Sequence, residues 1–241
     1  MPPRDVLLAD DDEFTRLVTR RMLPAPPFLV RTVANGQAAV EAMTARWPDY
    51  LLVDMEMPLR SGVETVQWVR AREAAHDRPP CRIVMMSGND DEASMARALQ
   101  AGADRYLVKP VRRERLLAAL RELEPEAPVS ALAPLTEGEP PTAAPDTVVV
   151  EEQWRDHFDA FMALQRKTGD EMAGALQAGD RDRLQFLGHR AFGGLAALDM
   201  HWAAQQCRRI EHAAATAPLE ELRAVVEALR EHLARVRAEF R

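Results

Sequence analysis

Cysteine is nearly absent from the 241-residue chain: there are two, Cys81 and Cys207, far apart in sequence. That excludes a disulfide framework and any zinc-ligand spacing. No uncharged apolar stretch approaches the roughly 18 residues that a membrane span requires, so no membrane insertion is expected. The N-terminus lacks a basic leading region, and its apolar run at 6–9 is too short for a signal peptide. Positive charge is not in excess either. The formal charge is −7 with a pI near 5.5, which argues against a generally basic nucleic-acid binder. Lysine is the scarcest cation: Lys109 and Lys167 stand against 29 arginines. What remains is a cytoplasmic chain with reduced thiols. Its 47% hydrophobic and 29% charged residues exclude a wholly disordered or fibrous protein. The length suits one or two domains.

Two composition shifts divide the sequence. Residues 124–147 hold six prolines and five acids, with no basic residue and no aromatic. Such a stretch buries too little apolar surface to offset its ordering entropy, and it reads as a linker. Fully extended as polyproline II it would span on the order of 70 Å. The net charge is 0 over 1–123, −5 over the linker and −2 over 148–241. Neither flanking segment is a basic domain, and no basic recognition helix is evident, so no DNA-binding output is expected.

Residues 1–123 alternate short apolar runs (6–9, 28–34, 50–53, 81–86 and 105–108) with helix-period stretches at 13–23, 36–46, 63–75, 91–101 and 112–123. Strand–helix alternation repeated five times predicts an α/β domain, a doubly wound parallel sheet covered by helices on both faces. Residues 148–241 show no strand pattern. They predict helices near 150–177, 180–197, 200–215 and 218–240, broken at Gly179-Asp180, around Asp199 and at Pro218. In the last, Leu219, Leu222, Val226, Leu229, Leu233, Val236 and Phe240 form one apolar stripe, as in an all-α four-helix bundle.

Ligand chemistry in open parallel sheets collects beyond the carboxyl ends of the strands. There the sequence places Asp10, Asp11 and Asp12 after the first run, Asp54 after the third, Ser87 after the fourth and Lys109-Pro110 after the fifth. Each carboxylate alone also suits a helix cap. Together they repel one another and demand a cation, and all-oxygen ligation with few protein ligands suits Mg²⁺. A lysine in so arginine-rich a chain points to a need for a compact point charge.

The stretches Leu7-Leu8-Ala9-Asp10-Asp11-Asp12, Leu51-Leu52-Val53-Asp54-Met55-Glu56-Met57-Pro58, Val84-Met85-Met86-Ser87-Gly88 and Tyr106-Leu107-Val108-Lys109-Pro110 resemble the receiver domain of two-component response regulators, in order and at the right spacings over 4–123. The resemblance implies a five-stranded flavodoxin-like fold with Asp54 as phosphoacceptor. It implies Mg²⁺ on Asp11, Asp54 and the Glu56 backbone carbonyl, with Asp10 acting through water. Ser87 and Lys109 would meet the phosphoryl oxygens, Tyr106 would reorient on activation, and the Lys109–Pro110 bond would be cis. A sensor histidine kinase or other phosphohistidine donor would be the partner. The chain would be a signalling protein, not an enzyme beyond weak autodephosphorylation.

Of six histidines, His76 falls in a loop-like stretch, and His157, His201, His212 and His232 have no notable setting. His189 lies in Leu187-Gly188-His189-Arg190-Ala191-Phe192-Gly193-Gly194-Leu195. Leu184, Leu187, Ala191, Leu195 and Leu198 cluster within about 80° on the helical wheel, and His189 points roughly 160° from that stripe. An exposed imidazole is therefore expected on a smooth face with Gly193 and Ala196, flanked by Phe186 and Phe192; such a face marks a docking surface. Glycines inside a helix cost about 1 kcal/mol each, so Gly188, Gly193 and Gly194 require a reason, and close helix packing is the alternative one. The stretch resembles a histidine phosphotransfer domain over about 150–241, which implies phosphorylation of His189 and docking of Asp54 or another receiver domain there. The family places a lysine where this chain has Phe192. The rival reading is a phosphorylation-gated switch whose bundle is a phosphate-free interaction or dimerisation module. A phosphohydrolase is disfavoured because Asp54-Met55-Glu56 lacks the Asp-x-Asp-x-Thr arrangement, and a histidine kinase because no glycine-rich nucleotide segment follows the helices.

Overall fold

A computed structural model describes residues 3–76, 80–123 and 147–241. The chain divides into two compact units, one containing the first two of these stretches and one the third. The acidic, proline-rich segment read as a linker lies outside the described residues, except that Thr147 already belongs to a strand.

The first unit runs β1 (Arg4–Ala9), α1 (Glu13–Met22), β2 (Phe28–Val33), α2 (Gly36–Ala45), β3 (Tyr50–Asp54), α3 (Gly62–His76), β4 (Arg82–Ser87), α4 (Glu92–Ala101), β5 (Arg105–Val108) and α5 (Arg113–Glu122). His76 therefore ends a helix rather than sitting in a loop. The strands pair in parallel in the order β2-β1-β3-β4-β5, with Ala9 beside Val53, Asp54 beside Met86, and Ser87 beside Val108. Consecutive strand residues serve opposite faces. Leu7, Ala9, Leu51, Val53, Ile83 and Met85 pack with Ala39, Met43, Val66, Val69 and Ala98 of α2, α3 and α4. Val6, Leu8, Leu52, Val84, Met86 and Leu107 pack with Leu116, Ala119 and Leu120 of α5. Burial on both faces is why the central strands read as unbroken apolar runs. Caps set the helix starts: Asp12 accepts from the Thr15 amide at 2.6 Å, Asn35 from Ala38 at 2.8 Å, and Asp91 from Ser94 at 2.8 Å. Arg70 ties the lower edge together, donating to Asp104 at 2.8 Å and to the Gly102 carbonyl at 2.8 Å.

The second unit comprises β6 (Thr147–Val150), a 3-10 turn (Glu152–Trp154), α6 (Arg155–Ala178), α7 (Arg181–Ala197), α8 (His201–Ala213), α9 (Leu219–Arg235) and β7 (Arg237–Phe240). α6 packs on α7 and α9, and α8 packs on the same two helices. Gly179, at φ 68°, closes α6 in the left-handed region, and Asp180 caps α7 by accepting from the Arg183 amide at 2.9 Å. The predicted break at Gly179-Asp180 is thus a stop and a start in succession.

The absence of strands expected here is incorrect. β6 and β7 form a two-stranded parallel sheet, Val148 opposite Ala238 and Val150 opposite Phe240. The helix predicted to continue to 240 ends at Arg235, so Phe240 leaves the stripe and meets Phe158 edge-to-face at 5.7 Å. Of the other stripe positions, Leu222, Val226, Leu229, Leu233 and Val236 are buried as expected, while Leu219 at the start of α9 is only partly buried. His232 is not ordinary either: it is buried, its ring 4.9 Å from that of Trp202.

Candidate functional site

The carboxyl ends of β1, β3, β4 and β5 bring the predicted residues together. Asp10 follows β1, Asp54 ends β3, Ser87 ends β4 and Lys109 follows β5; all four are buried. Lys109 Nζ lies 2.8 Å from Asp10 Oδ2 and 2.9 Å from Asp54 Oδ2. The Lys109 amide donates to the Ser87 carbonyl at 2.7 Å, and the Lys109–Pro110 peptide is cis. β1 and β3 are adjacent, and the connections leaving them run to opposite sides of the sheet, which opens a crevice between their ends.

Carboxylate oxygens of Asp10, Asp11 and Asp54 lie within 4.8 Å of one another. Asp12 is different: it caps α1, and its own amide donates to Asp10 Oδ1 at 3.0 Å. The capping reading holds for Asp12 and not for Asp10, whose two oxygens serve Asp12 and Lys109. Burial, with Asp54 and Asp12 adding to it against the pull of Lys109, pushes the Asp10 carboxyl up to about 7. Burial also works against the Lys109 ammonium, but Asp10 and Asp54 outweigh it and hold its pKa above the ordinary lysine value. Three clustered carboxylates exceed the charge of the one ammonium, which pairs with two of them, and hard oxygen donors at this spacing fit a small divalent cation. Glu56 is exposed, two residues beyond Asp54 on the loop.

Tyr106, on β5, is partly buried and donates its hydroxyl to the Asn89 carbonyl. Burial raises its phenol pKa, with Ser87 working the other way. Ser87 Oγ also accepts from the Asn89 amide at 3.1 Å. Asn89 was not singled out in the sequence, because a loop asparagine carries no signal of its own.

Gly62 is a further residue that the motifs did not flag. Its amide donates to the Met55 carbonyl at 2.9 Å, and a Cβ there would lie 2.1 Å from the Asp54 carbonyl oxygen. The start of α3 can approach the end of β3 only as glycine. Leu59 in the same loop has φ 68° and is 84% exposed.

In the second unit, His189 corrects the wheel projection. It does not stand free in solvent: it is 8% exposed, and its Nδ1 lies 2.9 Å from Glu211 Oε1 on α8. Phe192, Gly193 and Ala196, expected on an open face, are buried with it. Gly188 supplies the reason, since a Cβ there would meet the Cys207 carbonyl at 2.8 Å and the Glu211 amide at 2.9 Å. α8 comes so close that it covers a second face of α7. The stripe Leu184, Leu187, Ala191, Leu195 and Leu198 is buried as predicted. Phe186 is partly exposed, with Arg183 and Arg190 over its ring.

Residues 6–121 match the family described as response regulator receiver domain. The chain is 31% identical over 120 residues to the chemotaxis protein CheY of Halobacterium salinarum, covering 50% of this chain and 96% of that protein. It is 32% identical over 122 residues to the nitrate/nitrite response regulator protein NarL of Escherichia coli, covering 50% of this chain but 54% of that one. Among solved structures, the signal receiver domain of the putative response regulator NarL from Mycobacterium tuberculosis matches with a TM-score of 0.45 and 29% identity, over 51% of this chain and 96% of that one. These likenesses fall on the first unit; the chain spans about half the length of the longer relatives. No helix among the described residues is long and apolar enough to cross a membrane. Through its first unit, the chain belongs to the response regulator receiver family of two-component signalling proteins.

Proposed function

We propose that the chain is a two-component phosphorelay protein. In this reading the first unit, 1–123, accepts a phosphoryl group on Asp54 from a phosphohistidine donor such as a sensor kinase. The second, 148–241, is a four-helix bundle of the histidine phosphotransfer type carrying a second acceptor, His189. The observation that carries the first half is the ion pair of 2.9 Å between Lys109 Nζ and Asp54 Oδ2 at the sheet edge.

Asp54 needs no general base, because a carboxylate oxygen supplies its own lone pair as the nucleophile. Its oxygen attacks phosphorus, an O–P bond forms, and the donor P–N bond breaks with its electron pair returning to the imidazole. Lys109 holds the acceptor oxygen and meets the charge that arrives. Asp11, Asp54 and the Glu56 carbonyl would hold Mg²⁺, with Asp10 acting through water, as the receiver resemblance implies. When bound, Mg²⁺ neutralises charge on the phosphoryl oxygens. Ser87 can turn its hydroxyl to a phosphoryl oxygen. Doing so would disturb the bond that Ser87 Oγ accepts from the Asn89 amide, and Tyr106 bonds the Asn89 carbonyl, which is how phosphorylation would reach β5.

For His189, support comes from Glu211. A carboxylate on Nδ1 fixes the proton there and leaves the Nε2 lone pair as nucleophile. Attack by Nε2 forms N–P as the P–O bond to a phosphoaspartate breaks, its electron pair staying on the carboxylate. The proton remains on Nδ1, facing Glu211. The 8% exposure of His189 and the apolar Phe192 favour the second reading, a phosphate-free interaction module gated by Asp54.

Chemical stability of the bound phosphate separates the two. Wild type, Asp54→Asn and His189→Gln are loaded with acetyl phosphate and phosphoramidate plus Mg²⁺, then challenged with acid and base. Acyl phosphate is base-labile, and phosphohistidine is acid-labile. Both classes in wild type, each removed by its own substitution, establish a two-site relay protein. The base-labile class alone, also with a native kinase as donor, leaves Asp54 as the acceptor and the bundle as a phosphate-free module.

A further inference from the structure

Arg208 on α8 lays its guanidinium over the ring of Phe192, with Cζ 4.3 Å from the ring centroid. Its Nε and Nη2 are closed off from solvent and meet no acceptor among the described residues. A cation–π contact engages only the face of the guanidinium, so the in-plane N–H groups of Nε and Nη2 stay unused. Desolvated donors on a charged group are costly to leave unmade, and an orphan of this kind calls for a partner.

The position of Arg208 says what that partner is. Phe192 lies one turn beyond His189 on α7, and Arg208 lies one turn before Glu211 on α8. The pairs His189–Glu211 and Phe192–Arg208 are successive rungs of one antiparallel helix pair. The close approach at Gly188 sets that spacing. A phosphoryl group on His189 would bring close to two negative charges beside the Glu211 carboxylate. Arg190, the cation next to His189 in sequence, is drawn elsewhere: it donates to Thr168 Oγ1 at 3.3 Å and lies 3.7 Å from Glu171.

We propose that Arg208 is the cation that receives the phosphoryl group of His189, supplied across the helix pair from α8 and steadied on the face of Phe192. The fork of in-plane N–H groups matches phosphoryl oxygens in geometry and charge. Phe192 is then the platform that carries the cation, where the phosphotransfer resemblance implies a lysine at position 192 itself. The proposal rests on the reading of His189 as a phosphoacceptor.

The test uses the full chain carrying Asp54→Asn, so that only the histidine signal remains. Phosphoramidate loading and the decay of the acid-labile phosphate are followed by ³¹P NMR in this parent and in Arg208→Gln, Arg208→Lys and Arg208→Gln/Phe192→Lys. Thermal melting serves as the fold control. Arg208→Gln is expected to lower the phosphohistidine level or lifetime about tenfold with melting unchanged, the scale of one charge-assisted contact. Arg208→Lys should retain part of it, and Phe192→Lys should restore it. A parent that labels and an Arg208→Gln variant that labels and decays identically overturn the proposal alone. A loss that neither lysine variant restores marks a packing role and overturns it as well. No acid-labile phosphate in the parent overturns the reading of His189 and the proposal with it.

Discussion

Lys109 Nζ stands 2.9 Å from Asp54 Oδ2, both groups buried, and the same ammonium reaches Asp10 at 2.8 Å. One cation therefore holds two carboxylates that repel each other. Removing it leaves buried charge without compensation. Lys109→Ala is expected to destabilise the first unit by about 3 kcal/mol, within the range for breaking a buried ion pair. Added Mg²⁺ should recover part of the loss, because it binds the folded cluster and not the unfolded chain. Urea unfolding with and without Mg²⁺ reads both effects. A variant as stable as wild type, with no response to Mg²⁺, would count against the cluster as a cation site.

Two glycines give opposite forecasts. At Gly62 a Cβ would lie 2.1 Å from the Asp54 carbonyl oxygen, so backbone must move. Gly62→Ala should cost on the order of 2 kcal/mol, as overpacking does, and should slow acetyl phosphate labelling of Asp54. At Gly174, inside α6, a Cβ would meet nothing within 4 Å. Gly174→Ala should stabilise by about 0.5–1 kcal/mol through helix propensity. Denaturation midpoints of the two variants, read by far-ultraviolet circular dichroism, check the pair.

Both thiols should be silent in the folded chain. Burial pushes Cys81 and Cys207 well above the ordinary thiol range, with Glu73 adding to Cys81 and Glu211 to Cys207. Reactivity follows the exposed thiolate, which neither supplies. A colorimetric thiol reagent should react with neither in buffer and with both in denaturant. Rapid reaction of one thiol in the native state would show local opening of α8 or of the start of β4.

The first unit was legible because its chemistry sits at strand ends. Sheet strands buried on both faces appear as apolar runs, and the residue after each run falls on one edge, so Asp10, Asp54, Ser87 and Lys109 could be gathered without coordinates. What failed depended on partners distant in sequence. β6 is four residues long, and its pairing with β7 joins positions about ninety apart, which no local pattern reports. Val236 and Phe240 continue the three–four spacing of α9, so the periodicity runs on past the helix end at Arg235. For His189 the wheel assumed one buried stripe, but Gly188 admits α8 to a second face. Glu211 and Arg208 acquire meaning only through that approach.

The pair His189–Glu211 carries the last forecast. With Nδ1 2.9 Å from a carboxylate, the neutral ring should hold its proton on Nδ1 and present Nε2. Nitrogen-15 NMR of the full chain reads this tautomer directly. Glu211→Ala removes the acceptor, lets the proton move, and should slow phosphoramidate labelling at His189 by about tenfold to a hundredfold, the usual cost of losing a carboxylate behind a histidine. Glu211→Gln keeps an acceptor oxygen without its charge and should fall between. Labelling that is unchanged in Glu211→Ala, with the Nδ1–H tautomer lost, would separate orientation from reactivity and leave Glu211 a packing residue of the α7–α8 contact.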